Sequence, residues 1–238
     1  MAHNLLHAVV SDLAARLELA EPIVEFGSLQ VEDGQPNDLR PLFAGRQFIG
    51  TDLRDGPGVD RIEDLRALRF ADGEVGTALC LDTLEHCADP MAAARELRRV
   101  VSPTHGTVII SSVMLMPIHG YPGDYWRFTP DGLRLLLEGY DEVDAEGMGD
   151  PTIPFWVFGI GVRGHSLGLA LSELPSFRAS QEDYDSAPGR LRLGPFRYSP
   201  TQLGRELLGE LPRAVIQRAG TRLGEAGARL GGGKDGRD

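Results

Sequence analysis

The sequence predicts an α/β fold: a doubly wound, mostly parallel seven-stranded sheet with a C-terminal helical extension. Three observations carry this reading. Short apolar runs alternate with crossover segments, in IVEFG (23–27), QFIGTD (47–52), VGTALCLD (75–82) and TVIISSV (107–113). VGTALCLD is apolar on both faces, as a parallel strand covered on both sides must be. The first run ends at Gly27 and the second, about one βαβ step later, ends on the carboxylate of Asp52.

Taken in order, residues 4–19 place Leu5, Val9, Leu13 and Leu17 at helical spacing, which predicts an amphipathic entry helix. A first strand follows at 23–27. QVEDGQPNDLRPLF (30–43) is polar, with Gly and Pro, and reads as loop where a long helix would be usual. The second strand is 47–52, and RDGPGVDRI (54–62) is a turn-rich loop leading into a short third strand. The fourth strand is 75–82. DPMAAARELRRVV (89–101) is a helix that Asp89 caps and Pro90 starts. The fifth strand is 107–113, followed by a polar and aromatic loop, MPIHGYPGDYWRF (116–128). TPDGLRLLLEGY (129–140) is a capped helix. Residues 141–150 and 154–164 supply the last two strands, as an antiparallel hairpin. Residues 1–164 thus form the principal domain. Residues 165–230 form an extension, without clear period to 200 and helical from 201, that packs on the domain or lies at a dimer interface. Residues 231–238, GGGKDGRD, are expected to be a flexible tail.

At 238 residues, 42% hydrophobic and 25% charged, the chain can bury a full core. No apolar run approaches the ~20 residues a membrane helix needs. The first 20 residues lack a basic region before their apolar positions, so a cytoplasmic protein is expected. The net charge of −11 argues against nucleic acid as the main partner, because a phosphate backbone selects basic faces. The only cysteines, Cys80 and Cys87, read as small core residues rather than a disulfide or metal pair.

In a doubly wound sheet, ligands gather at the carboxyl ends of the strands. That edge collects Gly27, Asp52, Asp64, Asp82 and the loop after Val113. An acid at the end of the second strand takes the two hydroxyls of a ribose, and a glycine at the end of the first lets the ligand approach the backbone. The pair predicts an adenosine-containing cofactor without yet choosing among dinucleotides and others.

Four runs narrow the choice. FIGTDLRDGPGVD (48–60), LCLDTLEHCADP (79–90), ELRRVVSPTHG (96–106) and GYPGDYWRFTP (120–130) occur in order at the right spacing. With them the chain resembles the class I S-adenosylmethionine-dependent methyltransferases, in the group with an ExG first motif and an LEH motif after the fourth strand. The resemblance covers about 22–163. GYPGDYWRFTP is similar to bacterial enzymes acting on sugars and secondary metabolites, the mycobacterial methylmannose polysaccharide O-methyltransferases among them. One departure stands out: the usual ExGxGxG is here EFGSLQVE (25–32), with Gly27 alone.

The resemblance implies a Rossmann-like methyltransferase fold and S-adenosylmethionine as cofactor. It implies that Glu25, Gly27 and Ser28 meet the methionine end, that Asp52 and Leu53 hold the ribose, and that Asp64 and Leu65 contact adenine. Leu81 and Asp82 border the cofactor and face substrate. A solvated acid remains an alternative for Asp64, and a structural cap for Asp82. Methyl transfer needs alignment of donor and acceptor and removal of one proton, and a neutral hydroxyl needs the base more than an amine does. Histidine suits that task near neutral pH. His119, in the loop where acceptors of this fold sit, is the first candidate base, and His86 the second. Asp124 either orients the base or binds substrate. Tyr121, Tyr125, Trp126 and Arg127 are candidate substrate contacts; core packing remains open for Trp126 and an ion pair for Arg127. Some sugar O-methyltransferases use Mg²⁺, for which Asp82, His119 and Asp124 are the candidate ligands.

The resulting expectation is an O-methyltransferase of a saccharide or related small molecule, with no nucleic-acid or membrane partner, and with C-terminal helices that offer a surface for a homodimer. An N- or C-methyltransferase of a secondary metabolite, or a non-catalytic S-adenosylmethionine-binding protein, are the alternatives. The missing GxGxxG argues against an NAD oxidoreductase.

Overall fold

The computed structural model describes residues 2–30, 38–120, 123–186, 191–193 and 196–198. The strands are β1 (Ile23–Phe26), β2 (Phe48–Asp52), β3 (Arg61–Ile62), β4 (Thr77–Cys80), β5 (Gly106–Val113), β6 (Glu142–Gly149) and β7 (Pro154–Arg163). The helices are α1 (Ala2–Arg16), α2 (Pro90–Val100), α3 (Pro130–Leu136) and α4 (Pro175–Ser186). The seven strands form one sheet in the order β3-β2-β1-β4-β5-β7-β6. All pairs from β3 to β5 are parallel, and β7 inserts antiparallel between β5 and β6. The fold is therefore the doubly wound, mostly parallel α/β sheet that the apolar runs predict.

Period-two alternation splits the core into two layers. Val24, Phe26, Ala78, Cys80, Val108 and Ile110 face Leu97 of α2 and Leu133 of α3. Ile23, Leu79, Ile109, Phe158 and Ile160 face the opposite way, onto Val9, Val10 and Leu13 of α1. Asp89 caps α2 by accepting from the Ala92 N–H at 2.9 Å, and Thr129 caps α3 by accepting from Gly132 at 3.1 Å. Each such cap is worth about 1 kcal/mol.

The second layer is completed by a segment that the sequence assigns to the extension. Leu167, Leu171, Leu174 and Phe177 are buried in it. The Phe158 and Phe177 rings meet edge to face at 5.5 Å, and the Ser176 N–H donates to Asp12 of α1 at 2.8 Å. The compact unit runs from Met1 to Ser186, past the expected boundary at 164. A second unit, 187–238, contains a short antiparallel hairpin of β8 (Leu191–Leu193) and β9 (Phe196–Tyr198). The helical tendency over 201–230 and the tail at 231–238 lie outside the described residues. Among the described residues no helix is long and apolar enough to cross a membrane. Cys80 is a free core thiol, as expected, whereas Cys87 is only half-buried.

Candidate active site

The carboxyl ends of β1, β2 and β4 converge because the strand order reverses there: β1 pairs with β2 on one side and β4 on the other. Gly27 ends β1 at φ +91°, in the left-handed region, and its N–H donates to Thr51 at 2.8 Å. A Cβ there would stand 2.1 Å from Thr83 Oγ1, so the position requires glycine twice over. The Thr83 hydroxyl lies 2.8 Å from the Leu81 carbonyl and 3.1 Å from that of Phe26, tying the ends of β4 and β1 together.

After Gly27, polar contacts fix the loop. The Ser28 hydroxyl donates to the Gly58 carbonyl at 2.9 Å, and Arg40 donates to the same oxygen at 2.9 Å. Arg40 also pairs with Asp60 at 2.5 Å, and Asp60 accepts the Gly50 N–H at 2.8 Å. The loops after β1 and β2 are thereby pinned to each other.

Two adjoining cavities open at this edge, and both are lined by Gly27, Asp52, Arg54, Thr83 and His86. The first, about 250 Å³, is bounded by Phe26, Leu53, Asp64, Leu65, Cys87 and Tyr125. The second, about 330 Å³, is bounded by Glu25, Asp82, Glu85, Met116, His119 and Trp156. Asp52 stands at their junction, with its side chain 14% exposed and its carboxylate accepting the Arg54 N–H at 3.0 Å. Asp64 is gripped by Arg66, whose Nε and Nη2 lie 3.0 and 2.8 Å from its oxygens. That guanidinium holds the Asp64 carboxyl below its ordinary range.

The second cavity is rich in acids. Burial pushes Glu25 up to about 8, with the nearby Asp38 adding to the effect and Arg40 opposing it. Asp82 sits at φ +45°, a conformation that side chains rarely take. Its Oδ1 accepts from Ser111 Oγ at 2.7 Å and its Oδ2 from Trp156 Nε1 at 3.1 Å. Burial raises its pKa against those two hydrogen bonds. Glu85 is fully buried. Ser112 Oγ donates to its Oε2 at 2.8 Å, while Oε1 has no hydrogen-bond partner among the described residues. Burial first, and the Asp82 charge second, push Glu85 up to about 8.

The two candidate bases meet here, with the His86 and His119 rings edge to face at 5.0 Å. His86 Nδ1 lies 2.5 Å from the Gly123 carbonyl, which can only accept, so that nitrogen carries the hydrogen. His119 Nδ1 faces the Pro117 carbonyl at 3.1 Å and Asp124 Oδ2 at 3.4 Å, and is protonated for the same reason. Nε2 is left as the nitrogen with a free lone pair on both rings. Asp124 also accepts the His119 backbone N–H at 2.8 Å. Arg127 donates to both Asp124 oxygens and holds that carboxyl well below the usual range.

The structure redistributes several expected roles. Arg127 spends its donors on Asp124 and on the carbonyls of Met116, Pro117 and Trp126, so it braces the loop, in line with the ion pair that the sequence left open. Trp126 likewise donates Nε1 to the Cys87 carbonyl at 2.9 Å. Tyr125 borders the first cavity, beside Asp64 and Leu65, and not the second. Tyr121 lies outside the described residues. The Mg²⁺ set does not converge: Asp124 is occupied by Arg127, and both Asp82 oxygens are occupied by Ser111 and Trp156. Glu85, Trp156 and Thr83 are site residues that sequence reasoning passed over. Glu85 had a signal, since it is the acid of the LEH run; Trp156 had none, since only the pairing of Trp156 with Val113 brings it to this edge.

Residues 46–110 match the family described as a methyltransferase domain. No curated protein matches the sequence. Among solved structures, one is an S-adenosylmethionine-dependent methyltransferase from Thermotoga maritima, described as a possible histamine N-methyltransferase. It is 19% identical at a TM-score of 0.48, over 67% of this chain and 91% of that one. A second S-adenosylmethionine-dependent methyltransferase, from Mesorhizobium loti, is 17% identical at a TM-score of 0.48, over 66% of this chain and 98% of that one. At these values they bear on neither acceptor nor mechanism.

Proposed function

We propose that this protein is an S-adenosylmethionine-dependent methyltransferase, a reading supported by its matched domain and its sheet, and that it methylates a hydroxyl of an uncharged saccharide or related polyol. The observation that carries the reading is the Asp124–His119 pair at the cavity that adjoins Asp52. When bound, S-adenosylmethionine supplies a methyl group already activated on a sulfonium. Asp52 accepts the ribose hydroxyls. Leu53, Asp64 and Leu65 border the first cavity, which suits adenine. Glu25 fits the methionine end for a reason visible in this chain: a buried carboxyl held up near 8 is stabilised in its charged form by an arriving ammonium.

The acceptor hydroxyl occupies the second cavity, where Glu85 offers an unpartnered oxygen and Trp156 lines the wall. Asp124 keeps the His119 proton on Nδ1, so Nε2 would take the hydroxyl proton while the methyl passes from sulfonium sulfur to the acceptor oxygen and S-adenosylhomocysteine leaves. Such a positioned base contributes typically ~10²–10⁴-fold. The protonated ring is then stabilised by Asp124, whose charge Arg127 secures.

One observation favours a second reading. The cavity is acidic, and a cationic amine would be drawn to it. The assay that separates the two uses methyl-labelled S-adenosylmethionine with parallel panels of saccharides and amines, followed by product mapping. Transfer to hydroxyls with turnover lowered ~10²-fold or more by His119→Ala, at unchanged S-adenosylhomocysteine affinity, supports the proposal. Transfer to amines that survives His119→Ala overturns it.

A further inference from the structure

Glu85, His86 and His119 each present a ligand atom within 4.8 Å of the other two. Three further observations turn this proximity into a site. The Glu85 Oε1 atom is buried and unpartnered among the described residues, which costs free energy unless a ligand satisfies it. Both imidazoles have Nδ1 fixed by an oxygen acceptor, the Gly123 carbonyl for His86 and Asp124 with Pro117 for His119. That leaves an Nε2 lone pair on each ring and an unpartnered oxygen on Glu85, in three residues whose ligand atoms meet. Histidines held through the second ring nitrogen by a carboxylate or carbonyl are the arrangement that orients metal ligands. Ser112 holds the other Glu85 oxygen in the same way.

We propose that Glu85, His86 and His119 form a binding site for a divalent first-row transition metal ion of the zinc type. The donor set decides the class of ion. Two imidazoles and one carboxylate suit zinc and its neighbours, whereas Mg²⁺ takes oxygen donors and keeps its waters. Two donors on one ion at 2.0–2.1 Å lie at most roughly 4.2 Å apart, close to the spacing that the three side chains already have. Three protein ligands leave the remaining position to water.

One consequence rests on His119 being the base. The ion takes the same Nε2 lone pair that accepts the hydroxyl proton, so occupancy and proton removal exclude each other. The metal therefore inhibits transfer rather than assisting it.

The test uses the full chain, stripped with a chelator and titrated calorimetrically with ZnCl₂ and MgCl₂, and with CoCl₂ followed by visible absorption. One equivalent of Zn²⁺ binds, Mg²⁺ gives no binding heat, and Co²⁺ develops visible ligand-field bands. Glu85→Gln and His86→Asn each weaken Zn²⁺ binding by at least ~10-fold while retaining a cooperative thermal melt. Absence of stoichiometric Zn²⁺ binding, or affinity unchanged in both variants, overturns the site. If one variant does not fold, the other and the cobalt spectrum decide. In the transfer assay, Zn²⁺ lowers turnover and chelator restores it; a rise in turnover with Zn²⁺ overturns the inhibitory consequence. Metal binding is read without any acceptor, so failure to methylate saccharides would overturn the proposed function and leave the site standing.

Discussion

Asp52 is the residue at which sequence and structure agree most directly. A carboxylate at the end of β2, beside a glycine turn at the end of β1, lies between the two cavities, as the spacing implies. Hydrogen bonds to a charged group are worth about 1.5–3 kcal/mol each. Asp52→Ala therefore weakens S-adenosylhomocysteine binding by roughly 100-fold or more, measured by calorimetry. Glu25 makes a pH-dependent prediction. Its folded pKa, about 8, lies above the ordinary glutamate value of 4.5. The native state thus holds a proton that the unfolded chain has lost between those values, and stability falls as pH rises through that window. Chemical denaturation of the ligand-free protein across pH 4.5–8 shows that fall, and Glu25→Gln lessens it, Glu85 contributing a share of its own. An equal slope in both proteins overturns the assignment. For Trp126 and Arg127 the sequence leaves a structural role open beside a substrate contact. Their types suit a sugar, but backbone carbonyls and Asp124 claim the polar atoms of Trp126 and Arg127.

At the scale of elements, β1, β2, β4 and β5 were legible because each is a short apolar run with a turn signal at its end. The helices α2 and α3 were legible because Asp89 and Thr129 announce their starts. The role of α4 was not. PSFRASQEDYDS has no strong amphipathic pattern, and what commits it is Phe177 meeting Phe158 and the Ser176 N–H meeting Asp12. Those partners lie far away in sequence, where periodicity carries no information. Phe177→Ala removes a buried ring and costs about 3–5 kcal/mol in a denaturant titration. A loss below about 1 kcal/mol would place α4 outside the core.

At the scale of the whole molecule, the sheet brings five strand ends to one edge, and the antiparallel β7 delivers Trp156 to the same place. Because 165–186 covers one face of that sheet, a chain ending at 164 exposes the layer around Ile109, Phe158 and Ile160 and aggregates, while a chain ending at 186 binds S-adenosylhomocysteine with unchanged affinity. Size-exclusion chromatography and calorimetry on the two truncations check this. The sequence by itself determined the α/β class, the order of elements along the chain and the edge at which Gly27, Asp52 and Asp82 gather, since strand ends, caps and glycine turns are local and written in neighbouring residues. Only the tertiary structure decided that Glu85, His86 and His119 share one pocket, that Arg127 serves Asp124, and that α4 belongs to the core. Those outcomes depend on contacts between segments distant in the chain, and burial there sets both the charge of each acid and the partner of each imidazole.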